Sequence, residues 1–202
     1  MSSYQVFVTS VPPTAEDVIS YRSLRLLALQ TDQHCFSSMY TYECELAFSE
    51  ETWRERLSSG NKAIIIARRA DNDSNHGRVG GINGDWVGTV TMIAPEEVSD
   101  TGLPIAELPI AETHNIYAVF GMWVHPEHRG KGVGKRLLKE GIEWVKRRRE
   151  GGLHGEKKTE LTLALKGRRG NEAGVALYRS VGFEIVTVDD ADSDTFWMTC
   201  TL

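Results

Sequence analysis

Ile116-Tyr-Ala-Val-Phe-Gly-Met-Trp-Val124 and His125-Pro-Glu-His-Arg-Gly-Lys-Gly-Val-Gly134 follow one another without a break, and a charged segment continues from Lys135 to Arg149. The first part is rich in β-branched and aromatic residues and stops at a proline, which is typical of a β-strand. From Val133 onward, apolar residues recur at helical spacing and charged residues occupy the other face. The stretch therefore predicts a strand, a glycine-rich turn and an amphipathic helix in one unit.

The turn between this strand and this helix has the chemistry of an anion site. Glycines alternate with cations at a helix start, where free backbone N–H groups and the positive end of the helix dipole can bind a phosphate. A Walker loop is excluded, because its glycine spacing differs and no Ser or Thr follows Lys135 to hold magnesium. A dinucleotide fingerprint is excluded as well, because Lys135 stands where its third glycine belongs.

The spacing R-x-x-G-x-G, formed by Arg129, Gly132 and Gly134, resembles the acyl-CoA pyrophosphate signature of the GNAT superfamily of N-acetyltransferases. A second element similar to that family lies downstream, where Asn171-Glu-Ala-Gly-Val-Ala-Leu-Tyr178 is followed by Gly182-Phe183. The alternative for the turn is an ordinary strand-to-helix loop with a solvated basic rim. The resemblance implies one domain over residues 1–202 with an α/β (α+β) fold, in which helices cover both faces of a central, mixed, mostly antiparallel twisted sheet of about seven strands.

The composition excludes several classes of protein. The chain has 202 residues and a formal charge of −5, which argues against a general nucleic-acid binder. Its three cysteines, Cys35, Cys44 and Cys200, show no C-x-x-C spacing and favour reduced intracellular thiols. The sequence lacks an apolar run of membrane-spanning length, and its first residues do not resemble a signal peptide. We therefore expect a cytoplasmic protein without membrane or nucleic-acid partners.

Periodicity predicts the remaining elements. The tip between the second and third strands is unusually long, and residues 94–114 form an inserted polar connection with the repeat Leu103-Pro-Ile-Ala-Glu107 and Leu108-Pro-Ile-Ala-Glu112. This insertion is interpreted as a tolerated surface loop, with a lid or contact surface as the alternative. The predicted strands are 4–9, 63–67, 86–93, 116–124, 160–165, 183–188 and 196–202, and the predicted helices are 14–29, 49–57, 133–149 and 171–181, with an irregular connection at 30–48.

The resemblance assigns the cofactor contacts. Acetyl-CoA would be the cosubstrate, with its pantetheine arm beside the main chain of Met122, Trp123 and Val124 and its pyrophosphate on the turn. Asn171 resembles the CoA-contacting asparagine of the family and also suits a helix N-cap. Gly121 is interpreted either as a β-bulge that splays the central strand from its neighbour or as a packing gap. The turn residues implied in binding are Arg129, Gly130, Lys131, Gly132, Val133, Gly134 and Lys135.

Tyr178 matches the general acid of the family, and its alternative is a helix residue with a structural hydrogen bond. A thiol and a phenol have ordinary pKa values of about 8.5 and about 10, so proton transfer between them is nearly balanced. The general base is left open, because family members often carry a Glu where this strand has Ala118. The candidates for the base are His114, Tyr117, Glu45 and an ordered water chain.

No metal site is predicted, because His125 and His128 on a turn are typical of solvated residues. The resemblance implies an enzyme that transfers an acetyl group directly from acetyl-CoA to a primary amine of a small molecule or a protein terminus. A non-catalytic acyl-CoA-binding regulatory module is the alternative. The acceptor and the oligomeric state, a homodimer included, are left open.

Overall fold

The computed structural model describes residues 3–36, 41–70, 86–101, 108, 115–150, 160–188 and 194–202. Within these ranges, no helix combines the length and the apolar character that crossing a membrane requires. The strands are β1 (Ser3–Val8), β2 (Lys62–Ala70), β3 (Trp86–Ile93), β4 (Ile116–Val124), β5 (Thr162–Arg168), β6 (Glu184–Val188) and β7 (Thr195–Thr201). The α-helices are α1 (Ala15–Asp32), α2 (Tyr42–Leu46), α3 (Glu50–Leu57), α4 (Pro95–Val98), α5 (Val133–Glu150) and α6 (Glu172–Arg179).

The seven strands form one sheet in the order β1-β2-β3-β4-β5-β7-β6. Neighbouring strands are antiparallel except for β4 and β5, which are parallel. Helices α5 and α6 pack on one face, and α1 and α3 pack on the other. The predicted mixed, mostly antiparallel sheet of about seven strands with helices on both faces is confirmed.

Strands β4 and β5 separate toward their C-terminal ends. They pair only where residues 116–118 face residues 162–164. Gly121 has a φ of 58°, and the register of β4 on β3 shifts at this point, between the partners Thr89 and Thr91. The predicted bulge at Gly121 is therefore confirmed, and it leaves the last residues of β4 without a β5 neighbour among the described residues.

Helix α5 is held against the sheet by the apolar stripe that its sequence predicts. Its inner face is buried, whereas its cations lie in solvent or pair with nearby carboxylates. This packing fixes the N-terminus of α5, and with it the glycine turn, at the end of β4. The buried residues of the stripe are Val133, Leu137, Leu138, Gly141, Ile142 and Val145.

Helix α2 lies in the segment for which the sequence predicts an irregular connection. Thr41 caps it by accepting the Cys44 N–H, and Glu45 anchors it through ion pairs with Arg25 and Arg56. Five residues without an apolar repeat give no periodic signal, because tertiary ion pairs rather than a hydrophobic stripe stabilise this helix.

The described part of the insertion at 94–114 is more than a surface loop. Helix α4 begins at Pro95, and its Val98 is buried. Leu108, the first residue of the second repeat copy, is 4% exposed and packs in a cluster with Ala118 and Trp197. The interpretation as a merely tolerated surface loop is therefore wrong for Val98 and Leu108, and the other residues of the repeat lie outside the described residues.

Candidate functional site

A cleft of about 350 Å³ opens where β4 leaves β5. Its walls come from the end of β4, the glycine turn, the first turn of α5, helix α6, and the end of α1 with the 3₁₀ turn that follows it. Lys131 is predicted as a contact but does not line the cleft, since its side chain is exposed on the turn. The other predicted residues do line it: Met122, Trp123, Val124, Arg129, Gly130, Gly132, Val133, Gly134, Lys135, Asn171 and Tyr178.

The glycines of the turn serve two different purposes. Gly132 has a φ of 77°, a backbone conformation that favours glycine, and a Cβ built on it meets no atom within 4 Å. Its free side therefore leaves room for a ligand against the backbone. A Cβ on Gly134 would instead lie 2.9 Å from Leu177 Cδ2 and 3.1 Å from Met122 Cε. Gly134 is thus required by the packing of α5 against α6.

Arg129 links the end of β4 to the end of α1. Its Nε donates to the Val124 carbonyl at 2.8 Å, and its guanidinium pairs with the Asp32 carboxylate. The Trp123 indole N–H donates to the same Asp32 oxygen at 2.7 Å. The resemblance implies that this guanidinium contacts a phosphate. In the structure, one side of the guanidinium already contacts the protein.

Asp32 carries a negative charge into this wall of the cleft. Burial raises the pKa of its carboxyl, but the hydrogen bonds from Trp123 and Arg129 and the Arg129 charge outweigh burial and hold the pKa below its ordinary value. The sequence does not indicate this residue, because the predicted helix ends at Leu29 and residues 30–48 show no regular pattern. The capped helix in fact continues for three more residues to Asp32.

We expect Asp32→Asn to lower the free energy of unfolding at pH 7 by about 1 kcal/mol, because the hydrogen bonds from Trp123 and Arg129 lose their charged acceptor. A depressed folded-state pKa stabilises the protein above the unfolded-state value of about 4, and this stabilisation is lost as the pH falls through the folded-state pKa. Urea titrations of both proteins from pH 7 to pH 3 measure the difference, which should shrink below about pH 4. A constant difference across that range would contradict the ionised carboxylate.

Tyr178 lies on α6 with its ring 5.9 Å from that of Phe183. Burial, with a smaller contribution from the nearby Cys35 thiol, raises the pKa of the phenol well above its ordinary value. Among the described residues, no hydrogen bond to the Tyr178 hydroxyl is found. The hydroxyl is therefore a protonated group in the cleft wall, and the alternative of a structural hydrogen bond receives no support.

Asn171 both caps α6 and lines the cleft. Its Oδ1 accepts the Gly174 N–H at 3.0 Å, which makes it the N-cap of α6, and the residue also lines the cleft. The cap fixes the first turn of α6 beside the glycine turn.

Two of the candidate bases do not reach the cleft. Glu45 is fully buried in ion pairs with Arg25 and Arg56, and Tyr117 packs against Trp144 on the α5 face of the sheet. Both are therefore wrong as bases, since neither lines the cleft, and His114 lies outside the described residues.

The surroundings of Ala118 disfavour the carboxylate that members of the family often carry at this position. Ala118 is fully buried in an apolar cluster that includes Leu108 and Trp197, where an ionised side chain would have no partner. The titratable cleft residues to which the sequence gives no role in the site are Asp32, Cys35 and His128. Asp32 and Cys35 come from a segment without a recognisable pattern, and His128 lies on the glycine turn, where the sequence indicates a solvated residue.

Donor atoms of two residue groups lie within 4.8 Å of one another: Asp32, His34 and Cys35, and His125, Glu127 and His128. Several of these atoms already have protein partners. His128 Nδ1 shares a hydrogen bond of 2.9 Å with the Tyr4 hydroxyl, and His125 Nδ1 accepts the Glu127 N–H at 3.3 Å. The absence of a metal site stays a prediction.

Comparison with known proteins identifies a family model, described as an acetyltransferase (GNAT) domain, over residues 75–185. The N-alpha-acetyltransferase RimI of Mycobacterium tuberculosis (strain ATCC 25618 / H37Rv) is 37% identical over 70 residues, which are 35% of this chain and 36% of that protein. An uncharacterized protein, ML0378, of Mycobacterium leprae (strain TN) is 40% identical over 68 residues, which are 34% of this chain and 15% of that protein. The match thus spans about a third or less of the length of either relative.

Solved structures match over nearly the full length, at identities that show the fold alone. A domain from Methanocaldococcus jannaschii DSM 2661 has a TM-score of 0.60 at 15% identity and covers 100% of both chains. PaiA N-acetyltransferase from Thermoplasma acidophilum in complex with coenzyme A has a TM-score of 0.55 at 17% identity, over 99% of both chains. Arabidopsis thaliana NAA60 in complex with a bisubstrate analogue has a TM-score of 0.55 at 14% identity, over 98% of this chain and 99% of that one.

Proposed function

The chain belongs to the GNAT family of acetyltransferases, and from this premise we propose that it is an N-acetyltransferase that uses acetyl-CoA to acetylate a primary amine of a small molecule or a protein terminus. One observation carries the proposal. The two sequence elements that suggest this chemistry, 129–134 and 171–178, are far apart in the chain and line the same cleft.

The cleft suits the parts of acetyl-CoA. Backbone N–H groups of the turn and the N-terminus of α5 would bind the pyrophosphate. The main chain of residues 122–124, which no described β5 residue pairs, would bind the amide groups of the pantetheine arm. The Val124 carbonyl is an exception, since it already accepts from Arg129.

In the proposed reaction the amine nitrogen attacks the acetyl carbonyl, a C–N bond forms, and the C–S bond breaks. The ammonium loses one proton to water before attack, and the nitrogen releases a second proton to water as the amide forms. Tyr178 donates its hydroxyl proton to the departing sulfur and recovers one from solvent, and its raised pKa keeps it protonated at neutral pH. A departing thiolate in the same buried surroundings is also desolvated, so its basicity rises together with that of the phenol.

Thiol release from acetyl-CoA across a panel of primary amines and peptide N-termini tests this function. We expect release above the amine-free background for at least one class of amine. The second candidate function is a non-catalytic acyl-CoA-binding module, which the buried Ala118 in place of a strand carboxylate favours. Tight CoA binding without thiol release for any amine would support the module and contradict the enzyme.

We expect Gly132→Val to weaken CoA binding about tenfold or more, because a branched side chain would fill the open space beside the backbone and strain a residue with positive φ. Calorimetric titration with CoA measures the loss, and thermal unfolding checks the fold. The control is Gly60→Val, since a Cβ on Gly60 also meets no atom within 4 Å and Gly60 does not line the cleft. Unchanged affinity in a folded Gly132→Val protein would contradict the pyrophosphate assignment.

A further inference from the structure

A second cavity, of about 210 Å³, lies against another face of α6, which contributes Glu172, Val175, Ala176 and Arg179 to its lining. Three arginines surround it: Arg168 at the end of β5, Arg169 just after it, and Arg179 in the last turn of α6. The remaining lining is mostly small or apolar. It consists of Gly170, Asn171, Val175, Ala176 and Phe196, with Glu172 as the single carboxylate.

The arginines of this cavity, which we call the arginine pocket, are short of counter-charges. Among the described residues, neither Arg169 nor Arg179 makes a side-chain hydrogen bond or ion pair. The Arg168 guanidinium donates only to the Phe36 carbonyl, at 3.5 Å. Several arginines elsewhere in the described residues are paired with carboxylates, as Arg25 and Arg56 are with Glu45.

Like charges that converge on one cavity repel each other, and an oxyanion between them would relieve the repulsion. A guanidinium presents N–H donors in a fixed fork that matches the oxygens of a phosphate or a carboxylate. From this charge arrangement we propose that the arginine pocket is an oxyanion subsite that binds a phosphate-like group of a substrate.

The position of the pocket connects it with the cleft. Asn171 lines both cavities, and Arg168 contacts the carbonyl of Phe36, which lines the cleft. The inference therefore deepens the proposed function and rests on it for the identity of the ligand. The oxyanion has two sources: the 3′-phosphate of CoA, reaching past Asn171 from a pyrophosphate on the glycine turn, or an acidic group of the acceptor.

The test uses the double variant Arg169→Ala/Arg179→Ala in the full-length protein. A matched control, Lys139→Ala/Arg149→Ala, removes two exposed cations from α5, away from both cavities. Thermal unfolding first establishes that both variants are folded. Each protein is then titrated calorimetrically with CoA and with 3′-dephospho-CoA. In a second arm, inorganic phosphate is added to each protein saturated with 3′-dephospho-CoA, and the rise in the thermal unfolding temperature is measured. If 3′-dephospho-CoA does not bind, phosphate is added to the protein alone.

For the 3′-phosphate source, we expect about tenfold weaker CoA binding in the pocket variant and unchanged binding of 3′-dephospho-CoA, because charge-assisted hydrogen bonds to one phosphate are lost. For the acceptor source, CoA affinity stays unchanged, and the stabilisation by inorganic phosphate disappears in the pocket variant alone. Either result supports the subsite. Equal CoA affinity together with an equal phosphate response in all three proteins overturns it.

The two failures can be told apart. If the wild-type protein binds neither CoA nor 3′-dephospho-CoA, the proposed function fails, and the phosphate titration of the free protein still decides whether the arginine pocket binds an oxyanion. If the wild-type protein binds CoA and the pocket variant behaves like its control throughout, only the subsite fails.

Discussion

Tyr178→Phe is expected to lower kcat about 100-fold or more while the KM for acetyl-CoA changes little, because in the proposed reaction the hydroxyl acts only when the sulfur leaves. The ring that packs near Phe183 is kept, and no described residue bonds the hydroxyl, so the thermal stability should stay close to that of the wild type. Steady-state thiol release with the best amine of the panel measures kcat and KM, and calorimetry measures the stability.

Tyr117→Phe is the matched control. It removes a buried phenolic hydroxyl from β4, on the α5 face of the sheet beside Trp144 and outside the cleft, so kcat should remain near the wild-type value. If Tyr178→Phe keeps at least half of the wild-type kcat, Tyr178 does not protonate the sulfur. A kcat loss of similar size in both variants would indicate a general structural effect rather than a general acid.

Glu45→Gln is expected to cost about 3–5 kcal/mol of unfolding free energy, because the guanidiniums of Arg25 and Arg56 lose the carboxylate that they share in the interior. The Glu45 side chain is 0% exposed and that of Arg25 is 8% exposed, so water cannot replace the lost charge. Arg25 also lies 4.8 Å above the Phe36 ring, in the wall of the cleft. Chemical denaturation with urea measures the loss.

Glu50→Gln provides the comparison for this prediction. It breaks the exposed pair with Arg54 on α3, which spans one helical turn and should contribute less than about 0.5 kcal/mol. A Glu45→Gln protein as stable as the Glu50→Gln protein would show that the buried ion pairs contribute little to the stability of the fold. A Glu45→Ala variant then separates the loss of charge from the loss of packing.

Features set by neighbouring residues in the chain are predictable from the sequence. The helices predicted to begin at residues 14 and 49 do begin there, with the side chains of Thr14 and Ser49 as their N-caps, and the predicted bulge forms at Gly121. The glycine turn also forms at the predicted residues, because its conformation depends on residues that lack a Cβ. Its three glycines look alike in the sequence, yet only the packed structure distinguishes the open side of Gly132 from the crowded side of Gly134.

Contacts between distant residues decide the site and are not predictable from local patterns. Asp32 meets Trp123 across 91 positions and Arg129 across 97, and nothing in the sequence near Asp32 indicates either partner. Leu108 belongs to a repeat whose sequence suggests a surface loop, yet it is buried beside Ala118, because burying its side chain in an apolar cluster is favourable.

The sequence by itself determined the family, the order of the seven strands and of helices α1, α3, α5 and α6, and residues of the turn and of α6 that line the cleft. Periodicity, capping and glycine placement act over a few residues, which is why they can be recognised in the sequence. Only the tertiary structure decided which charges meet. Asp32, at the end of α1, lies beside Arg129 of the glycine turn. Glu45 and Tyr117 are buried outside the cleft. Three arginines line one cavity. Such placements depend on burial and long-range pairing, which no short stretch of sequence encodes.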